Sequence, residues 1–116
     1  MTQEHENSLE MILRKPVTKV EFVLDYFHLI FNEHGTLTIM EPPQVELNGS
    51  VLDATHNSFR AALEALTGCR LTEAQAVEQQ RMVLEFENGT KLTIPLNKDT
   101  GESVVLSKVP NLLRVW

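Results

Sequence analysis

The chain reads as an α+β fold: two antiparallel β-hairpin or meander units, at about residues 16–52 and 70–107, joined by one helix at about 57–67. Three observations predict it. Apolar and polar residues alternate on both sides of two glycine-containing hairpins, as a half-buried strand requires. A single stretch carries strong helical spacing: Phe59, Ala62, Leu63 and Leu66 share one face. Finally, Leu29, Phe31, Leu37, Thr38 and Ile39 recur identically as Leu84, Phe86, Leu92, Thr93 and Ile94, an offset of 55, which points to an internal duplication.

The first fifteen residues turn from polar to amphipathic. Asn7 or Ser8 can cap a short helix through Leu9, Ile12 and Leu13, and Glu10 follows Asn7 at capping-box spacing. Two turns are marginal in water, so this helix needs to dock on the core. Pro16 then pushes Lys15 toward an extended conformation, and a strand begins.

Val17, Val20, Phe22 and Val23 are β-formers, and a turn near Leu24-Asp25 separates them from Phe27, Leu29 and Phe31. Asn32 to Gly35 reads as a hairpin loop, after which Leu37 and Ile39 resume the alternation until Pro42-Pro43 ends it. Asn48-Gly49 marks another tight turn before an extended piece at 50–52. Thr55 or Asn57 can cap the helix that follows, and Gly68 suits its left-handed C-terminal residue.

Residues 72–80 read as helix by propensity, yet their counterpart in the repeat, 17–24, reads as strand. Tertiary context overrides propensity, so 70–78 is expected to be extended. Residues 81–86 and 91–96 form a second hairpin around Asn88-Gly89, and a last strand is expected at 103–107 beyond Thr100-Gly101. The expected core is Val20, Phe22, Leu29, Phe31, Leu37, Ile39, Leu84, Phe86, Leu92 and Ile94.

The whole, 116 residues and 13.2 kDa, fits one domain with a real core. Ten basic against sixteen acidic residues give a net charge of -6, the wrong sign for a general nucleic-acid binder. The acidity is concentrated: residues 1–90 hold six basic and fourteen acidic side chains (-8), residues 91–116 four and two (+2). Apolar runs such as Phe22-Val23-Leu24 are too short to span a bilayer, and the acidic, polar start is unlike a signal peptide. One cysteine, Cys69, excludes an internal disulfide and a multi-cysteine metal site. These features predict a cytoplasmic protein that binds neither nucleic acid nor membrane.

No diagnostic catalytic spacing emerges. His28, His34, Asp53 and His56 would offer ligands for a metal or acid–base chemistry only if the fold brought them together. Cys69 follows a helix C-terminus, where the dipole does not favour a thiolate, and reads as structural. Glu85 and Glu87 alternate with Phe86 and present a charged outer surface. The tail at 110–116 carries Leu112, Leu113, Val115 and Trp116, large apolar groups where chain ends are usually polar and frayed. It either meets a partner or folds back on the protein's own core.

The pattern Val17-x-x-Val20, Leu29-x-Phe31, a glycine-containing hairpin and Leu37-x-Ile39, recurring at 70–96, resembles small bacterial β-rich domains, some of which sit among toxin-immunity proteins. That resemblance implies no catalytic residue and no cofactor. The expected function is therefore a non-catalytic protein-binding module of immunity-like kind, meeting a cationic partner protein through Glu85, Glu87, Leu113 and Trp116, or pairing with itself through exposed sheet edges. The alternative is a small ligand- or metal-binding enzyme built on His28, His34, Asp53 or His56.

Overall fold

Alternating side chains build ten strands among the described residues. The computed structural model describes residues 9–77, 80–96, 103–108 and 112–116. The strands are β1 (Lys19–Val23), β2 (Tyr26–Ile30), β3 (Thr36–Ile39), β4 (Gln44–Leu47), β5 (Ser50–Leu52), β6 (Leu71–Val77), β7 (Arg81–Phe86), β8 (Lys91–Pro95), β9 (Val104–Lys108) and β10 (Leu112–Val115). One short helix, α1 (Phe59–Glu64), and a 3-10 turn at Asn32–His34 complete the described elements. Two antiparallel five-stranded sheets result, in the orders β1-β2-β3-β9-β10 and β5-β4-β8-β7-β6.

Local chemistry explains the turns. Asn48 and Gly49 both take positive φ, 52° and 81°, the pair of values a two-residue hairpin turn between β4 and β5 needs. Gly35 leaves the 3-10 turn at φ 138°, and a Cβ there would stand 3.3 Å from both Leu106 Cδ1 and the Ser107 carbonyl oxygen. Only glycine lets β9 approach β3 this closely.

The two sheets share one core. Leu29, Phe31, Leu37 and Ile39 from the first meander meet Leu84, Phe86, Leu92 and Ile94 from the second, all buried. Val20 and Phe22, also expected in the core, are partly buried and pack against it. Arg60 on α1 lays its guanidinium 4.2 Å above the Phe22 ring and so holds the helix against β1.

The duplication is visible in the hydrogen bonding. Leu29 pairs with Leu37 and, 55 residues on, Leu84 pairs with Leu92. The Thr18 hydroxyl donates to the Ile30 carbonyl at 2.9 Å, and the Thr72 hydroxyl to the Glu85 carbonyl at 3.0 Å. The repeat also begins earlier than the sequence reading had it. Amides of Ile12, Leu13 and Lys15 donate to the carbonyls of Leu9, Glu10 and Ile12, and those of Leu66, Thr67 and Cys69 repeat this to Leu63, Glu64 and Leu66.

Where the halves meet, they bond reciprocally. Gly68 N–H donates to Val17 O at 2.7 Å, and its counterpart Arg14 N–H donates to Leu71 O at 2.6 Å. Val17 N–H donates to Cys69 O at 2.9 Å, and Leu71 N–H to Lys15 O at 3.2 Å. Arg14 and Gly68 both hold positive φ, 68° and 89°, as this crossing demands. The arrangement is that of an internal two-fold.

Each half then hands its last hairpin to the other. The β4–β5 hairpin follows β3 but pairs with β8, Val45 opposite Leu92. The β9–β10 hairpin follows β8 but pairs with β3, Leu106 opposite Leu37.

Two expectations are corrected. The fold is not α+β: strands make up 53% and the helix is only six residues long. The expected helix at 57–67 is shortened because Ser58 is the N-cap but makes no side-chain capping bond, and neither Thr55 nor Asn57 takes that role. Leu66 is still buried, just beyond the helix. Nor is each sheet built from one repeat, as 16–52 and 70–107 would suggest, because β4–β5 joins β8 and β9–β10 joins β3. Of the 70–78 stretch expected to be extended, Leu71–Val77 is so, as β6. The capping residues Asn7 and Ser8 and the Thr100-Gly101 turn lie outside the described residues.

Because the hairpins are exchanged, the halves cannot unfold separately. Urea unfolding should give one transition whether followed by far-ultraviolet circular dichroism or by Trp116 fluorescence. Leu37→Ala and Leu92→Ala, at equivalent buried positions, should each lower stability by about 2–5 kcal/mol. Two resolved transitions would contradict the interlocked arrangement.

Candidate interaction surface

Because successive residues of a strand point to opposite faces, burying Met82, Leu84 and Phe86 turns Arg81, Val83 and Glu85 outward. The ladder registers set their neighbours. Glu73 on β6 lies directly opposite Glu85, Glu85 opposite Lys91, and Lys91 opposite Glu46. Three carboxylates and one ammonium thus form a row across four strands.

Lys91 Nζ is 3.9 Å from Glu46 Oε2, a solvent-exposed pair of small energetic weight. Glu73 and Glu85 remain a like-charge cross-strand pair, which costs a few tenths of a kcal/mol up to about 1 kcal/mol. They line a shallow depression of about 270 Å³ together with Ala74, Gln75 and Val83. The equivalent row of the first sheet contains Lys19, Ile30, Thr36 and Ser107. The acidic row is therefore peculiar to one half of a duplicated frame.

Glu87 has a different task. Its carboxylate accepts the Arg70 N–H at 2.8 Å while its own amide donates to the Arg70 carbonyl at 2.9 Å. It fastens the chain at the junction of the halves. Cys69, next to this junction, donates its thiol to the Ala65 carbonyl, and burial, followed by the nearby Glu87 charge, pushes the thiol pKa up. An activated nucleophile would need the opposite shift.

Trp116 is only 5% exposed and sits in the core cluster. Its amide donates to the Val104 carbonyl at 2.7 Å, closing the β9–β10 hairpin. Of the two readings of the tail, the structure shows the one in which it folds back. Leu113 lies on β10 opposite Ser107, and its side chain falls outside the described residues.

The histidines are scattered. His28 Nδ1 is 2.7 Å from the Thr38 hydroxyl on the outer face of the first sheet, with the Tyr26 ring edge-on at 5.6 Å. His34 sits in the 3-10 turn, 3.8 Å from Glu33. Asp53 and His56 lie together in the turns after β5, where His56 Nδ1 accepts the Ser58 N–H at 3.0 Å. Among the described residues no three His, Cys, Asp or Glu side chains gather as metal ligands.

Asp53 opens a turn of its own. Its Oδ1 accepts both the hydroxyl and the amide of Thr55, and these bonds, the hydroxyl's first, hold its pKa below the ordinary carboxylate value. Beside it runs a groove of about 550 Å³ bordered by three prolines, Pro42, Pro43 and Pro95.

Glu73, Lys91 and Glu46 escaped the sequence reading. The repeat offset makes Glu73 the counterpart of Lys19, but which residue of β7 faces it depends on a register shift between Leu71 and Glu73. No sequence signal announces that bulge.

Comparison with known proteins is silent: no family model matches the chain, and neither a curated protein nor a solved structure does.

The Thr55 bonds yield a sign that can be measured. Asp53 ionises at lower pH in the folded chain than in the unfolded one, so its stabilising contribution is present above the ordinary carboxylate pKa. It fades as pH falls through the lowered folded value. Thr55→Val should move the Asp53 titration, followed by carbon-13 NMR of the carboxyl, upward toward the ordinary value. An unmoved titration would refute the assignment.

Proposed function

We propose that this protein is a non-catalytic binding module whose acidic outer row and edge strand β6 receive a cationic, extended segment of a partner protein. A toxin-neutralising module of the immunity kind is one instance of that class. The observation that supports it is the direct opposition of Glu73 and Glu85. A fold gains nothing from such a pair, whereas a lysine or arginine of a partner placed over both carboxylates would relieve it.

The setting agrees. Among the described strands β6 pairs with β7 alone and so lies at the edge of its sheet, the position at which a partner's strand is added. Its exposed positions are polar, Thr72, Glu73 and Gln75, which suits a reversible partner better than self-aggregation. The net charge of -6 draws cationic partners from a distance. A lone Cys69, unable to form an internal disulfide, supports a cytoplasmic setting. Among the described residues no helix is long and apolar enough to cross a membrane.

A fluorescent peptide alternating lysine and valine should bind the chain, with an affinity that falls as salt rises. Glu73→Lys combined with Glu85→Lys should weaken it about tenfold or more. Glu73→Gln alone should weaken binding while raising the urea midpoint of the free protein slightly. Binding indifferent to salt and to both substitutions would sink the proposal. Glu87→Ala serves as control: it removes the side-chain acceptor of the exposed Arg70 amide and should lower stability by about 1 kcal/mol.

A further inference from the structure

The groove beside Asp53 lies on the same outer face as the acidic row but toward the other end of the strands. Gln44 pairs with Thr93, and Arg81 pairs with Pro95, so β4, β8 and β7 all contribute to it. Asp53 stands at one side, directly after β5, and Arg81 at the other, on β7. With the order β5-β4-β8-β7, their backbones are three strand spacings apart across the sheet and, Asp53 being level with Thr93 and Val83, two residues apart along it, about 16 Å in all. Both residues line the cavity.

Between the charges the lining is rigid and largely apolar. Proline rings fix their own backbone, so the cavity loses little conformational freedom on being filled. Its volume, about 550 Å³, falls in the range of small-molecule sites. Among the described residues no carboxylate forms an ion pair with Arg81. Asp53, its Oδ1 held by the amide and hydroxyl of Thr55, stays ionised at neutral pH.

We infer that this groove binds a short peptide with free ends, its ammonium group at Asp53, its carboxylate at Arg81, and its body along Pro42, Pro95 and Thr93. Two or three extended residues span about 7–10 Å, short enough to lie between groups whose backbones stand about 16 Å apart. Arginine presents its donors in a fork that suits a terminal carboxylate, and aspartate accepts from an ammonium group. The site is independent of the Glu73–Glu85 row, so the failure of either leaves the other standing.

Trialanine is the probe, followed by amide NMR of the full chain. Resonances of Gln44, Arg81 and Thr93 should shift in a saturable way. N-acetyl-trialanine and trialanine amide should each bind about tenfold more weakly or worse. Arg81→Gln should erase the difference between the free acid and the amide, and Asp53→Asn that between the free and acetylated amine. Both residues lie at the surface, and an unchanged circular dichroism spectrum verifies that each variant is folded. Shifts that are absent at millimolar peptide, that fall elsewhere, or that ignore capping of both ends overturn the inference.

Discussion

The pairing of β9 with β3 and of β4 with β8 is the constraint on which the molecule depends. Each sheet has as its middle strand one that came from its own meander and is completed by a hairpin from the other half. Remove either hairpin and Leu37 or Leu92 loses a cross-strand neighbour in the centre of the core. The reciprocal bonds between residues 14–17 and 68–71 hold the opposite end of the same frame.

The repeated arrangement gives the molecule an internal control. Positions facing the core have kept their character: Phe31 and Phe86, Leu37 and Leu92, Ile39 and Ile94 are the same residue in both halves. Outward positions have diverged. Tyr26, His28 and Ile30 of β2 stand where β7 has Arg81, Val83 and Glu85. Packing explains the first set. The second set is free of that demand, and there the two faces acquire different surfaces: one aromatic and half-apolar, the other charged.

Much of this was legible in the residues. Period-two alternation located the strands, and the Leu-x-Phe and Leu-Thr-Ile identities exposed the repeat, which in turn made 70–78 an expected extended segment against its own helical propensity. Two things were not legible. Six residues of helix sufficed because Leu63 and Leu66 are buried by tertiary contact, so apolar spacing overstated the helix and with it the fold class. The exchange of hairpins leaves no mark on local pattern, since β4 is equally apolar whichever strand it joins. For the same reason the acidic row was half seen: Glu85 was evident, Glu73 needed a bulge, and Glu87 turned out to be a fastener. Trp116, read as either contact or core, is core.

The late return of β9 has a consequence for synthesis. While the chain emerges from the ribosome, β1, β2 and β3 can form a meander early, but β3 keeps a bare flank until residues 103–116 arrive. The partner of Leu37 lies 69 residues downstream (106 minus 37), so closure is a long-range event and slow. Nascent chains therefore pass through a stage in which a hydrophobic edge is open to other nascent chains. A cell making this protein quickly should find it dependent on chaperones, although the finished molecule shows no such weakness.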